Sequence, residues 1–101
     1  MGSGPTKNVA ITEAGLTPKG YEQITGLSSV KTLTVPADAQ FALIQVESKD
    51  VRWRDDGTDP TASVGMLLLA NQDIWYANDL SKLKFIETAA SAKLNVAYYG
   101  Y

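Results

Sequence analysis

The sequence contains no cysteine and no histidine. Without cysteine the chain can form neither a disulfide nor a thiolate nucleophile. Without histidine it lacks the usual general base of Ser–His–Asp and Cys–His catalysis, and the two absences together remove the common zinc ligands. Only carboxylates, lysines and tyrosines remain for acid–base chemistry. We therefore expect that the protein is not an enzyme, with no catalytic residue, no cofactor and no metal site.

Long apolar runs and clusters of positive charge are also scarce. The longest apolar run extends from Met66 to Ala70, which is far too short to span a bilayer. The nine lysines and arginines are scattered along the chain, and the formal net charge is −2. Nucleic-acid binding needs a clustered basic face, because phosphate contacts supply most of the affinity. The composition therefore predicts neither a nucleic-acid nor a membrane partner.

Short segments of alternating apolar and polar residues fill most of the chain, and turn-forming residues separate them. A length of 101 residues corresponds to a single domain. Seven or eight short strands with frequent turns are typical of a sandwich or barrel. The pattern predicts an all-β fold, a compact antiparallel β-sandwich or jelly-roll-like barrel. The predicted strands are Tyr21–Thr25, Lys31–Val35, Phe41–Glu47, Val51–Asp55, Gly65–Leu69, Ile74–Tyr76, Leu83–Glu87 and Lys93–Tyr99.

The N-terminal part of the chain has a different texture. Residues 1–19 are polar, are interrupted by Gly2, Gly4, Pro5, Gly15 and Pro18, and show no sustained periodicity. Glycine and proline in such a segment disfavour regular structure. We expect a flexible N-terminal arm over residues 1–19, within which residues 1–4 are a vector-derived remnant, and a single β-sandwich domain over residues 20–101.

Two arginines share one face of the strand that begins at Val51. Alternation places Trp53 with Val51 on an apolar face and leaves Arg52 and Arg54 on the opposite face. Guanidinium groups bind carboxylates through a planar fork. Arg52 and Arg54 are therefore candidates for contact with a partner, and the alternatives are pairing with nearby aspartates or simple solvation.

The residues after this strand predict a turn. Asp56-Gly57 suits positive φ angles and indicates a tight hairpin turn of the primed type, and Pro60 presets the next bend. Asp55, Asp56 and Asp59 also offer oxygen ligands for a cation, although their spacing differs from that of an EF-hand loop. Turn formation by Asp56, Gly57 and Pro60 is favoured, and ion binding by the three acids stays open.

Aromatic residues are the other candidates for recognition. Tryptophan and tyrosine are enriched at protein interfaces and also stack on sugars. Alternation favours Trp53 and Trp75 as core residues, and a ligand platform is the alternative. Tyr99 and Tyr101, at the C-terminus, are predicted interface residues.

One segment, VRWRDDGTDPTASVG from Val51 to Gly65, resembles a segment of small virion structural proteins from tailed phages and prophages. The resemblance extends from Gly20 to the C-terminus, since further similar segments are Gly20–Thr25, Phe41–Glu47, Leu83–Glu87 and Ala92–Tyr99. The similar proteins are known as structural components, and no catalytic residue carries over.

The resemblance implies a component of a phage particle, present in many copies and assembled in the host cytoplasm. The expected role is a capsid decoration or cement subunit that forms a homo-oligomer, with a trimer favoured, and binds a capsid or tail protein. The alternative is a carbohydrate-binding or host-attachment module of a tail or fibre. That alternative expects Trp75, Tyr76 or Tyr99 to be exposed along a groove, beside asparagine or aspartate.

Overall fold

A computed structural model describes residues 15–101 and shows an all-β fold there, as the sequence predicts. Most of the expected arm, residues 1–14, lies outside the described part of the chain. A single turn of 3-10 helix over Leu80–Lys82 interrupts the strands. In chain order the eight strands are β1 (Thr17–Ile24), β2 (Lys31–Thr32), β3 (Phe41–Glu47), β4 (Val51–Arg54), β5 (Met66–Leu68), β6 (Asp73–Tyr76), β7 (Lys84–Glu87) and β8 (Lys93–Gly100).

The strands form two antiparallel four-stranded sheets. The first sheet has the order β1-β8-β3-β6, and the second has the order β2-β7-β4-β5. Strand β1 therefore pairs with β8, β2 with β7, β3 with β6 and β4 with β5, as in a long hairpin rolled into two layers. Two further ladders, β3 with β8 and β4 with β7, complete the sheets. This order is that of a jelly roll.

Alternation along the strands builds the core between the two sheets. In β3 and β8 every second residue is buried, and the central ones, Ile44, Leu94 and Val96, have no exposed surface. Val51 and Phe85 are equally buried on the facing side of the second sheet. Burial of each such side chain contributes about 1.5–3 kcal/mol before the entropy of ordering the chain is counted.

Strand β1 begins at Thr17, four residues before the predicted strand at Tyr21, so residues 17–19 of the expected arm pair within the first sheet. The register of β1 against β8 shifts between Pro18 and Gly20, which marks a bulge. Proline is tolerated here because β1 is an edge strand. Proline and glycine broke the alternation in the sequence, which is why the first half of the strand escaped prediction.

The connection from β4 to β5 differs from the predicted tight turn. The two strands pair as a hairpin, but residues 55–65 form a long loop between them. Gly57 has a φ of 89°, whereas the φ angle of Asp56 is not positive. A primed Asp-Gly turn needs positive φ at both positions, so the prediction of a primed turn is wrong. Pro60 is fully buried and anchors the loop.

Candidate interaction surface

The outer face of the first sheet carries a row of four side chains that lie side by side in the strand register. Tyr21 of β1 lies opposite Ala97 of β8, Ala97 opposite Leu43 of β3, and Leu43 opposite Trp75 of β6. These residues alternate with the buried ones, so they point away from the core. Tyr21 is 64% exposed.

Tyr99 extends this row towards the C-terminus. Its ring centre lies 5.4 Å from that of Trp75, with an angle of 51° between the ring planes. Contacts of this kind fix the rings of both residues. We call the surface formed by Tyr21, Leu43, Trp75, Ala97 and Tyr99 the aromatic face. The sequence predicted Tyr99 as an interface residue, and the structure places it half-buried on this face.

Tyr101 packs at the end of the aromatic face, against Phe41, which lies opposite Tyr99 in the strand register. Its side chain is exposed, and its ring packs edge-on against Phe41 with 5.5 Å between ring centres and an 89° interplanar angle. Its backbone N–H donates to the Gln40 side chain at 3.0 Å. The prediction that Tyr101 contacts a partner therefore stays a prediction, although the side chain is accessible.

A polar row runs along the sheet next to the aromatic face, and Asn95 is its centre. The Asn95 Oδ1 atom accepts from the Tyr21 hydroxyl at 2.6 Å and from Gln23 Nε2 at 3.0 Å. Its Nδ2 atom donates to Glu47 Oε1 at 2.8 Å and to Gln45 Oε1 at 3.3 Å. These bonds use both donors and both acceptor positions of the amide. Asn95 therefore ties three strands together and fixes the ring of Tyr21.

Tyr76, one of the three aromatic residues that the glycan-binding alternative offered, is not on this surface. It is 6% exposed, points into the core and packs edge-on against Trp53. Its hydroxyl donates to Asp55 Oδ2 at 2.6 Å, and burial followed by this bond raises the pKa of the Tyr76 hydroxyl. Trp53 is half-buried and packs against the core. Of the two tryptophans, only Trp75 belongs to the aromatic face.

Arg52 and Arg54 both contact the loop at residues 55–65. Arg52 donates from Nη1 to the Gly65 carbonyl at 2.9 Å and from Nε to the Ala62 carbonyl at 3.3 Å. Arg54 grips both oxygens of Asp56, at 2.9 and 2.6 Å. That bond is the main reason why the pKa of Asp56 falls to about 2 and the pKa of Arg54 rises. Contact of either arginine with a partner stays a prediction, because the contacts present lie within the chain.

The three aspartates of this loop are directed to different partners. Asp55 accepts from Tyr76, Asp56 from Arg54, and Asp59 from Lys84 Nζ at 2.9 Å. Over residues 15–101, no group of three or more histidine, cysteine, aspartate or glutamate side chains is placed to hold a metal ion. In this structure the three carboxylates hold the loop in place through these bonds.

A shallow depression of about 460 Å³ lies at the opposite end of the sandwich from the loop. It is lined by the β1–β2 and β7–β8 connections, and its charged residues are Glu87 and Lys93. Glu87 Oε1 accepts from the backbone N–H of Ala92 at 3.2 Å, which holds the β7–β8 connection. The aromatic face is the stronger candidate, because it combines one exposed and two half-buried aromatic rings with side-chain contacts that hold them in place.

Searches for related proteins find no family model, no curated protein and no solved structure that matches the chain. No helix within residues 15–101 is long and apolar enough to cross a membrane.

Proposed function

We propose that the protein is a structural component of a phage particle that acts by binding other proteins. In the particle it is a capsid decoration or cement subunit, present in many copies as a homo-oligomer, with a trimer as the favoured form. The resemblance of residues 20–101 to virion proteins supports this role. The jelly roll is also used by viral capsid domains, which is a supporting analogy at the level of the fold.

The observation that carries the proposal is the aromatic face. Interfaces between proteins are enriched in tyrosine and tryptophan, and their energetic centres are rigid aromatic side chains. Here the rings stand on paired strands and are fixed by Asn95 and by the contact between Trp75 and Tyr99. A surface that is already ordered loses little conformational entropy when a partner binds, which favours affinity.

Particle binding tests this proposal. Particles of the phage that encodes the protein are first stripped of it. Purified protein is then added to these particles, and the bound copies are counted after sedimentation. We expect saturable binding in many copies that Trp75→Ala weakens at least tenfold. Thr32→Ala changes an exposed residue of the second sheet and serves as the control, with unchanged binding. Failure of the wild-type protein to bind particles would overturn the proposal.

A second candidate function is binding of a glycan, as in a host-attachment module. The observation in its favour is the position of the polar row beside the rings of the aromatic face, because sugars stack on aromatic rings and exchange hydrogen bonds with amides. A glycan array with wild-type protein and Trp75→Ala tests it. Binding of a defined glycan that is lost in the variant supports this function, and an array without hits rejects it.

A further inference from the structure

Strand β5 presents an apolar edge at the side of the second sheet. It is the last strand in the order β2-β7-β4-β5, so one side of its backbone has no neighbouring strand within the described chain. Leu68 is buried in the core and anchors the strand. Around it Val64, Met66, Leu67 and Leu69 are 54%, 60%, 47% and 43% exposed. Large apolar side chains are thus accessible on both faces of one strand edge.

The other three edge strands carry charges, and β5 does not. Strand β1 contains Lys19 and Glu22, β2 contains Lys31, and β6 contains Asp73. Charged residues, lysine above all, are a common means of blocking unwanted pairing at sheet edges. Residues 61–70 contain no charged residue at all. The edge at β5 therefore lacks the charged residues present at the other three edges.

We propose that β5 pairs antiparallel with β5 of a second copy of this chain, across a two-fold axis, and joins two second sheets into one eight-stranded sheet. A second copy suits this edge because an uncharged segment meets its own copy without like-charge repulsion. The pairing satisfies backbone groups that an edge leaves to water, and the exposed leucines and Met66 cover one another.

This contact is separate from particle binding through the aromatic face. The aromatic face lies on the first sheet and β5 lies at the edge of the second, so both contacts can form at once. A two-fold contact between identical surfaces joins subunits in pairs and cannot close a trimer. A trimer would therefore use another contact, and pairing through β5 would link two trimers into a hexamer.

Light scattering during size exclusion, repeated over a wide range of protein concentration, tests the pairing. We expect a dimer or a larger even-numbered oligomer, and Leu67→Lys should halve its mass because the charge meets its own copy. Thr32→Lys adds the same charge at an exposed site of β2, the opposite edge of the second sheet, and should leave the mass unchanged. A monomer at all concentrations, or a mass that Leu67→Lys leaves intact, overturns the inference.

Crosslinking supplies a second test that does not depend on a destabilising charge. The chain has no cysteine, so a single introduced cysteine can form a disulfide only between two copies. Directly opposed residues of antiparallel strands have Cα atoms about 4.5–5.5 Å apart, within the range of a disulfide. We expect that one of Met66→Cys, Leu67→Cys and Leu69→Cys forms a covalent dimer on mild oxidation, and that Thr32→Cys, at the opposite edge of the second sheet, does not. If none of the three exceeds the control, the inference is wrong.

Discussion

Arg52 and Gly65 are joined by a hydrogen bond of 2.9 Å from the guanidinium to the backbone carbonyl, across the base of the loop between β4 and β5. Gly65 immediately precedes β5, and its φ of 139° is a conformation that side chains rarely adopt. A Cβ atom at Gly65 would lie 3.2 Å from Arg52 Cβ and from the carbonyl oxygen of Trp53. The bond therefore holds the chain where the loop returns to the sheet.

Loss of this bond should be measurable as a loss of stability. We expect Arg52→Ala to lower the free energy of unfolding by about 1–2 kcal/mol, because it removes a charged donor from two carbonyl groups. Arg54→Ala is the matched control; it removes an exposed ion pair and should cost much less. Urea unfolding of the two variants compares them. An equal or larger loss in Arg54→Ala would contradict the assignment.

Two glycines of the fold differ in why they are needed. Gly57 has a φ of 89°, but nothing lies within 4 Å of the position of an added Cβ. Gly100 lies against the backbone of Asp38, and an added Cβ would collide with the Asp38 carbonyl oxygen. The need at Gly57 is conformational, and the need at Gly100 is steric.

We therefore expect Gly100→Ala to lower the free energy of unfolding more than Gly57→Val, although it adds the smaller side chain. Gly57→Val should fold and lose about 1–3 kcal/mol through backbone strain alone. Gly100→Ala should lose more, since the main chain around Asp38 must move. Thermal unfolding measures both, with Gly57→Ala as a control for the added β-branch. A Gly57→Val variant that fails to fold would show that the loop at residues 55–65 is tighter than the structure indicates.

Alkaline pH should unfold the protein as two tyrosines ionise. Burial, followed by a hydrogen bond to Glu22, raises the pKa of Tyr98, and burial with Asp55 raises that of Tyr76. An unfolded tyrosine ionises near about pH 10. The stabilisation from these neutral hydroxyls is therefore complete below about pH 10 and is lost progressively as the pH rises above it.

Tyrosinate absorbance and circular dichroism, recorded together during an alkaline titration, check this expectation. Of the five tyrosines, Tyr76 and Tyr98 should ionise only when the dichroism signal of the fold disappears. In the double variant Tyr76→Phe with Tyr98→Phe, the absorbance step that accompanies unfolding should be smaller than in the wild type. A full tyrosinate signal from a protein that is still folded would refute the assignment.

Strand positions could be predicted where the residue pattern is local. Alternation located β3 and β8 almost to the residue, because each buries every second side chain in the core. The start of β1 could not be seen, since Pro18 and Gly20 are acceptable only at an edge with a bulge. The Asp56-Gly57 pair likewise does not reveal that the loop extends as far as Gly65. The length of the loop depends on the contact between Gly65 and Arg52, which the turn residues do not show.

The aromatic face was only partly predictable. Ile74, Trp75 and Tyr76 alternate, so the pattern separates Trp75 from Tyr76, but it does not say which of them points outwards. Pairing of β6 with β3 decides that, through Leu43 and Ile44. Tyr21 joins the face through β8, more than seventy residues further along the chain. A local sequence pattern cannot show which strands pair when they lie so far apart in the chain.

The hydrogen bonds of Asn95 should be essential for holding Tyr21 and the neighbouring strands of the aromatic face in place. Asn95→Asp keeps an oxygen for Tyr21 and Gln23 but replaces the donor to Glu47 by a second carboxylate oxygen. Two facing carboxylates repel each other, so we expect this variant to lose about 1–2 kcal/mol at neutral pH. Its deficit relative to the wild type should shrink as the pH falls, because protonation of one of the two carboxyl groups removes the repulsion.

Urea unfolding at neutral and acidic pH measures this dependence on protonation. Gln23→Ala, which removes a single bond to Asn95, is the control and should show a smaller loss that does not change with pH. A deficit for Asn95→Asp that stays constant across the acidic range would mean that packing, rather than the bond to Glu47, gives Asn95 its importance. A deficit that closes on acidification would place the Asn95–Glu47 bond at the centre of the frame that orders Tyr21.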